Sequence, residues 1–184
     1  MNKSPILLHT CCAPCISHVR DVLCSDFDVI SYFYNPNIYP MDEYRARLQE
    51  LRRFSLLMDF PLHEGEYDQE NWQERVRPFA SLGERSERCW QCYRIRLDRS
   101  FRFARDNGIT IVTTVLSISP HKDARMINQI GRELADSYNM EFLEADFKKK
   151  NGYKKSVDLS RMYGFYRQNY CGCIYSMKER AGNE

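Results

Sequence analysis

The sequence predicts an α/β fold built on a mostly parallel sheet. Two observations carry that expectation. Five short runs rich in apolar, β-branched or aromatic residues succeed one another up to about residue 144. Segments with helical spacing lie between them, and that alternation favours parallel strands joined by right-handed crossovers.

Taken in order, Pro5–His9 is a short apolar run with the look of a buried strand, and the residues from Ile16 to Cys24 suit a helix. Phe27–Tyr34 is β-branched and aromatic, and Asn35-Pro36-Asn37 closes it as a turn. From Met41 to Asp59, Tyr44, Leu48, Leu51, Phe54, Leu57 and Met58 recur at three- and four-residue spacings, which predicts a helix. Pro61–Glu64 reads as a short strand, and Tyr67–Phe79 has helical spacing. A helix from Cys92 to Asn107 stops at Gly108, and Ile109–Leu116 is the strongest strand signal in the chain. A helix opening at Ser119-Pro120 and reaching about Tyr138 precedes a last strand, Glu141–Glu144. From Asp146 onward the pattern loosens into basic and aromatic residues, which predicts a helical C-terminal extension, about 146–184, of a single 1–184 domain. In such folds ligands meet the carboxyl ends of the strands. The segments after His9 and after Leu116 are therefore expected to reach one crevice.

Composition excludes several classes. With 43% apolar and 28% charged residues, and only 8 Gly and 7 Pro in 184, the chain is neither collagen-like nor low-complexity. No run approaches the ~18 apolar residues of a membrane span. The opening Met1–Thr10 turns polar after three apolar residues, too few for a signal-peptide core. The expectation is a cytoplasmic protein with no membrane partner. The net charge of +2 hides an asymmetry: residues 145–184 carry nine Lys/Arg against four Asp/Glu. That surplus suits a polyanionic partner.

Eight cysteines without an export signal call for metal or redox chemistry rather than structural disulfides. Cys11, Cys12 and Cys15 sit at an expected strand-to-helix junction, where unpaired N–H groups and the helix dipole favour thiolates. Cys89-Trp-Gln-Cys92 places two sulfurs three residues apart, so the two sets together form a four-thiolate site. An adjacent Cys-Cys at a strand end tilts the choice from zinc toward an iron–sulfur cluster, and Cys15 could replace Cys11 or Cys12 or face a substrate or second metal. Cys171-Gly-Cys173 suits a small strained disulfide ring, with two further metal ligands as the alternative. Cys24 reads as an ordinary buried thiol.

His9 and His121, at expected strand ends, are candidate proton donors, though a lone His is more often a hydrogen-bonded structural residue. Asp123 and Asp146 could hold a metal or a proton, or serve as caps. Lys148, Lys149, Lys150, Lys154, Lys155, Arg161 and Arg167, interleaved with Tyr153, Tyr163, Phe165, Tyr166 and Tyr170, suit phosphate contact with base stacking, or a solvated face over an aromatic core. Arg94, Arg96, Arg99, Arg102 and Arg105 read mostly as a helix's polar face.

His9-Thr-Cys-Cys-Ala-Pro-Cys15, Asn35-Pro-Asn37, Cys89-Trp-Gln-Cys-Tyr93, Ser119-Pro-His-Lys122 and Tyr166-Arg-Gln-Asn-Tyr-Cys-Gly-Cys-Ile-Tyr-Ser176, in this order, resemble the QueH-type epoxyqueuosine reductases. The resemblance implies an oxidoreductase of the last step in tRNA queuosine biosynthesis, which removes the epoxide oxygen of epoxyqueuosine at the anticodon wobble position without cobalamin. It implies a [4Fe-4S] cluster on Cys11, Cys12, Cys89 and Cys92, a redox-active disulfide between Cys171 and Cys173, a further mononuclear iron and an unnamed electron donor. The first half also resembles the Rossmann-like nucleotide-hydrolase (HUP-type) fold of ATP-dependent tRNA-modifying enzymes. Thr-Cys-Cys-Ala-Pro-Cys stands where their Gly-rich phosphate loop would be, so the architecture carries over and ATP hydrolysis does not. The readings from other classes are a zinc-stabilised RNA-binding module and a thiol–disulfide oxidoreductase with a structural metal.

Overall fold

A computed structural model describes residues 3–181. Strand β1 (Ser4–His9) lies at the centre of a five-stranded sheet, flanked by β2 (Phe27–Phe33) and β4 (Ile111–Thr114). Short β3 (Leu62–Glu64) and β5 (Glu141–Phe142) form the edges, giving the order β3-β2-β1-β4-β5 with every pairing parallel. Ile6 stands opposite Val29 on one side and Ile111 on the other, and Ile6, Leu7 and Leu8 are fully buried. A central parallel strand is covered on both faces, which is why its apolar run is continuous rather than alternating. Each of these side chains contributes roughly 1.5–3 kcal/mol by its burial.

Helix α1 (Ala13–Leu23) begins directly after the first cysteines, with Pro14 in its opening turn where a missing N–H costs nothing. It buries Ala13, Ile16, Val19 and Leu23. Helix α2 (Met41–Met58) points Tyr44, Leu48, Leu51 and Phe54 inward and ends at Asp59 in the left-handed conformation. Helix α3 (Gln69–Val76), extended by a 3-10 turn through Phe79, occupies the expected 67–79 segment and buries Trp72.

Several boundaries differ from the sequence reading, three of them beside the site. Helix α4 (Glu87–Asp106) starts five residues before Cys92, because extended Ser86 and first-turn Glu87 provide the start signal. Both cysteines of the motif therefore lie in its first two turns. Strand β4 stops at Thr114, whose hydroxyl accepts from the Leu116 N–H and turns Val115–Ile118 into a buried 3-10 segment. Helix α5 (Ala124–Tyr138) opens at Asp123, which accepts from the Arg125 N–H at 2.8 Å, rather than at Ser119.

The C-terminal segment contains α6 (Gly152–Met162) and α7 (Ile174–Ala181). Helix α6 packs along α1, and its small residues Ser156 and Ser160 are buried. A Cβ on Gly152 would fall 1.8 Å from the Phe147 carbonyl oxygen, so only glycine fits at this entry turn. No helix among the described residues is long and apolar enough to cross a membrane.

Candidate functional site

The chain leaves β1 at His9 and β4 at Thr114, neighbouring positions on the same sheet edge. His9 is buried and bridges the two strand ends, with Nδ1 2.8 Å from Thr114 Oγ1 and Nε2 3.2 Å from the Tyr34 carbonyl. Burial, reinforced by the nearby Arg96 charge, lowers its pKa to about 3. This neutral imidazole, hydrogen-bonded at both nitrogens, ties the two strand ends together.

Beyond His9, the sulfurs of Cys11, Cys12 and Cys15 lie within 4.8 Å of one another. Cys15 thus joins the adjacent pair in one compact group of soft ligands. Hydrogen bonding with Cys12 and Cys15 holds the Cys11 thiol well below its ordinary pKa, while burial pushes Cys12 up to about 12. One easily ionised sulfur backed by two reluctant ones suits a bound cation, which would draw off the remaining protons. The donor set therefore fits a thiophilic metal or cluster.

Cys92 is buried and Cys89 half-buried on α4. Burial raises both thiols, Cys92 to about 11. The eight cysteines are free. Cys89, Cys171 and Cys173 line one small cavity of about 20 Å³ with Tyr93 and Arg88. Cys171, together with Glu84, His121 and Lys122, also lines a cleft of about 290 Å³ that opens past Cys15, Tyr153 and Gln168. Cys171 is the cysteine common to both spaces. Its thiol is held well below its ordinary pKa by a hydrogen bond from Cys173, aided by the Lys122 charge, whereas Cys173 is pushed up.

Two buried cations and one half-buried on the cleft wall balance these sulfurs, and the sequence reading missed their importance. Arg96, counted there with a helix's polar face, is 1% exposed and donates to Asn35 Oδ1 at 2.6 Å, within the field of Cys92, Cys11 and Cys171. Lys122 lies near Cys171 and Cys11, whose ready ionisation outweighs desolvation and raises its pKa. Arg47 pairs with Glu43 at 2.7 Å and donates to the carbonyls of Cys171 and Tyr170. The adjoining Asn35–Tyr39 turn completes this clamp, with the Tyr39 N–H donating to the Gly172 carbonyl at 2.8 Å. Gly172 has φ +122, and a Cβ there would lie 3.1 Å from Arg47 Nη1. The glycine between the cysteines is thus required by conformation and by close packing.

The remaining candidates divide. Asp123 is a helix cap, and Asp146 pairs with Lys148 at 2.9 Å. His121 lies on the cleft wall. Phe165 and Tyr163 pack on Phe54 as core, while exposed Tyr153 lines the cleft with the Arg167 guanidinium over its ring. Lys149, Lys150, Lys154 and Lys155 are exposed beside it. Arg94 and Arg102 hold surface ion pairs, as a polar helix face should.

A parallel α/β sheet whose carboxyl edge gathers clustered thiols around a cleft defines an α/β protein with a thiol-lined site fit for a metal. Residues 6–179 match the family described as epoxyqueuosine reductase QueH. The chain is 38% identical over 182 residues to the epoxyqueuosine reductase QueH of Thermotoga maritima, covering 95% of this chain and 91% of that one. It is 36% identical over 180 residues to that of Histophilus somni, covering 97% and 74%. The corresponding protein of Acinetobacter baylyi is 35% identical, with 97% and 83% covered. The chain belongs to the epoxyqueuosine reductase QueH family, and it is an oxidoreductase.

Proposed function

We propose that this protein reduces epoxyqueuosine in tRNA to queuosine, with Cys11, Cys12, Cys89 and Cys92 holding a [4Fe-4S] cluster and Cys171 and Cys173 acting as a dithiol. The observation that carries this reading is the position of Cys171, shared between the substrate-sized cleft and the small cavity that reaches Cys89. The balance is simple. The epoxide takes two electrons and two protons, both C–O bonds break, an alkene forms and water leaves. The dithiol supplies two electrons and two protons as it closes to a disulfide, which an external electron donor must reopen.

This chain's residues have definable parts in that reaction. Cys171 is the thiol that ionises first, and Lys122 and Arg96 stabilise its negative charge. Arg47 and the 35–39 turn hold the 170–173 backbone so that the two sulfurs stay paired. When bound, an iron–sulfur cluster supplies one-electron transfer and, where an iron is open, Lewis-acid activation. The nearness of Cys15 to Cys11 and Cys12 favours one alternative ligand set, in which Cys15 replaces one of them. A mononuclear iron beside the cluster belongs to the same reading.

Exposed Lys149, Lys150, Lys154 and Lys155 would meet the tRNA backbone, and Tyr153 with Arg167 would stack on bases. The strand order β3-β2-β1-β4-β5 matches that of doubly wound nucleotide-binding sheets and supports the HUP-type kinship, with 1–184 as one catalytic unit in the cytoplasm. The test is anaerobic iron and sulfide analysis coupled to an assay on epoxyqueuosine-containing tRNA. Cys171→Ala and Cys173→Ala are expected to keep iron and the broad absorbance near 400 nm (roughly the region of iron–sulfide charge transfer) yet lose multiple turnover. Release of iron in proportion to either substitution would make these cysteines ligands instead.

A further inference from the structure

The side chain of Gln168 touches the thiol cluster, and its residue also lines the cleft. Its Nε2 donates to Cys12 Sγ at 3.3 Å. A metal-bound thiolate only accepts hydrogen bonds, so the amide nitrogen must face Cys12 and the carbonyl oxygen must face away. That oxygen, Oε1, is buried and has no hydrogen-bond partner. Leaving a buried acceptor unpaired costs about 1–3 kcal/mol, and native structures rarely carry such a cost without a use. The neighbouring chain is tied down rather than loose: Arg167 donates to Ser160 Oγ at 2.9 Å and Arg47 to the Tyr170 carbonyl. Gln168 is therefore presented at a fixed place between two anchors.

We propose that Gln168 is a specificity-determining residue, whose Oε1 accepts a hydrogen bond from a hydroxyl or amine donor on the modified base. The inference rests on the substrate and cluster reading above and adds the group that recognises the modification. Phosphate contacts by the lysines hold any tRNA equally, since they carry no base information. An acceptor beside the thiol group, on a residue that lines the cleft, gains a partner from the extra hydroxyl or amine that the modified nucleoside carries and guanosine lacks. The same amide ties recognition to the centre, because its N–H bonds to a ligand sulfur.

The test compares two anticodon stem-loop RNAs, one with epoxyqueuosine and one with guanosine at the wobble position. Binding to the metal-loaded protein is followed by fluorescence anisotropy without a reductant, so no turnover intervenes. The wild-type protein is expected to prefer the modified RNA. Gln168→Met should weaken binding of that RNA by about tenfold, the equivalent of one hydrogen bond of about 1.4 kcal/mol, and leave guanosine RNA and iron content unchanged. Gln168→Glu retains an acceptor but loses the N–H donated to Cys12, so it should keep the preference while lowering the reduction potential of the centre. Preference retained in Gln168→Met overturns the proposal, and so does an equal loss for both RNAs, which marks a structural role. A wild-type protein indifferent to the modification overturns the substrate reading itself.

Discussion

Arg47 Nη1 donates to the Cys171 carbonyl at 3.2 Å across 124 residues of sequence. That contact fastens the thiol loop to α2, and α2 is fastened to the core by Leu48, Leu51 and Phe54. The guanidinium is 2% exposed and ion-paired to Glu43. Its charge also faces Cys11 and Cys12. One side chain thus serves the loop, the helix and the cluster end of the site.

Replacing Arg47 with Met removes one partner of a buried pair and is expected to destabilise the fold by about 3 kcal/mol, read from denaturant midpoints. The loss should be accompanied by faster alkylation of Cys173, which is 7% exposed when the loop is held. A stability loss without any change at Cys173 would confine Arg47 to a structural role.

The fully reduced protein should show one reactive thiol in the 171–173 pair. Cys171 has its pKa lowered, by the Cys173 hydrogen bond first and the Lys122 charge next, so its thiolate persists below the usual thiol range as pH falls. Cys173 is raised by the same hydrogen bond and by burial. Iodoacetamide labelling followed by mass spectrometry at pH 6–8 should therefore modify Cys171 before Cys173, with the Cys171 rate falling only in the acid range. Lys122→Met should move that fall to higher pH. Equal rates for both sulfurs across the range would remove the basis for naming Cys171 the attacking thiol.

The elements that carry the sheet were legible because their signals are local. Ile6–Leu8 and Ile111–Val112 are apolar runs of strand length, and the α2 periodicity survives into its buried face. The parallel arrangement followed from alternation alone. The start of α4 is less legible, because its signal, Ser86 and Glu87, lies outside the cysteine motif. The thiol groups were visible as clusters, but the buried cations were not. Arg47 and Arg96 occur at positions that look like ordinary solvated helix faces, and only the return of residues 170–173 and of Asn35 encloses them. Ser119-Pro-His-Lys122 was the one sequence feature pointing to Lys122, through its place after the strongest strand.

The lysines of the C-terminal segment provide a separable test of the polyanionic partner. Lys149 and Lys154 are exposed, whereas Lys148 is engaged with Asp146. Lys149→Glu combined with Lys154→Glu should weaken tRNA binding, reduce the slope of log affinity against log salt by about 2, and leave stability and the metal-centre spectrum intact. Affinity unchanged at low and high salt would return this surface to a solvated face.

The Cys12 position tests the metal centre most sharply, because it lies where three observations meet. Its sulfur belongs to the compact group with Cys11 and Cys15, accepts from Gln168 Nε2, and is 1% exposed. Serine is close in shape, so Cys12→Ser creates little cavity, and the buried neighbours of the loop have no steric reason to rearrange. A hydroxyl is, however, a hard and weakly acidic ligand compared with a thiol. The substitution should therefore lower iron and sulfide per chain and abolish reduction of the modified tRNA. It should also lower the unfolding temperature of metal-loaded protein more than that of metal-stripped protein, since metal binding free energy adds to folding free energy. The difference between those two shifts isolates the metal's contribution from any packing defect. Equal shifts in the two forms, or full iron with full activity, would place the ligands elsewhere.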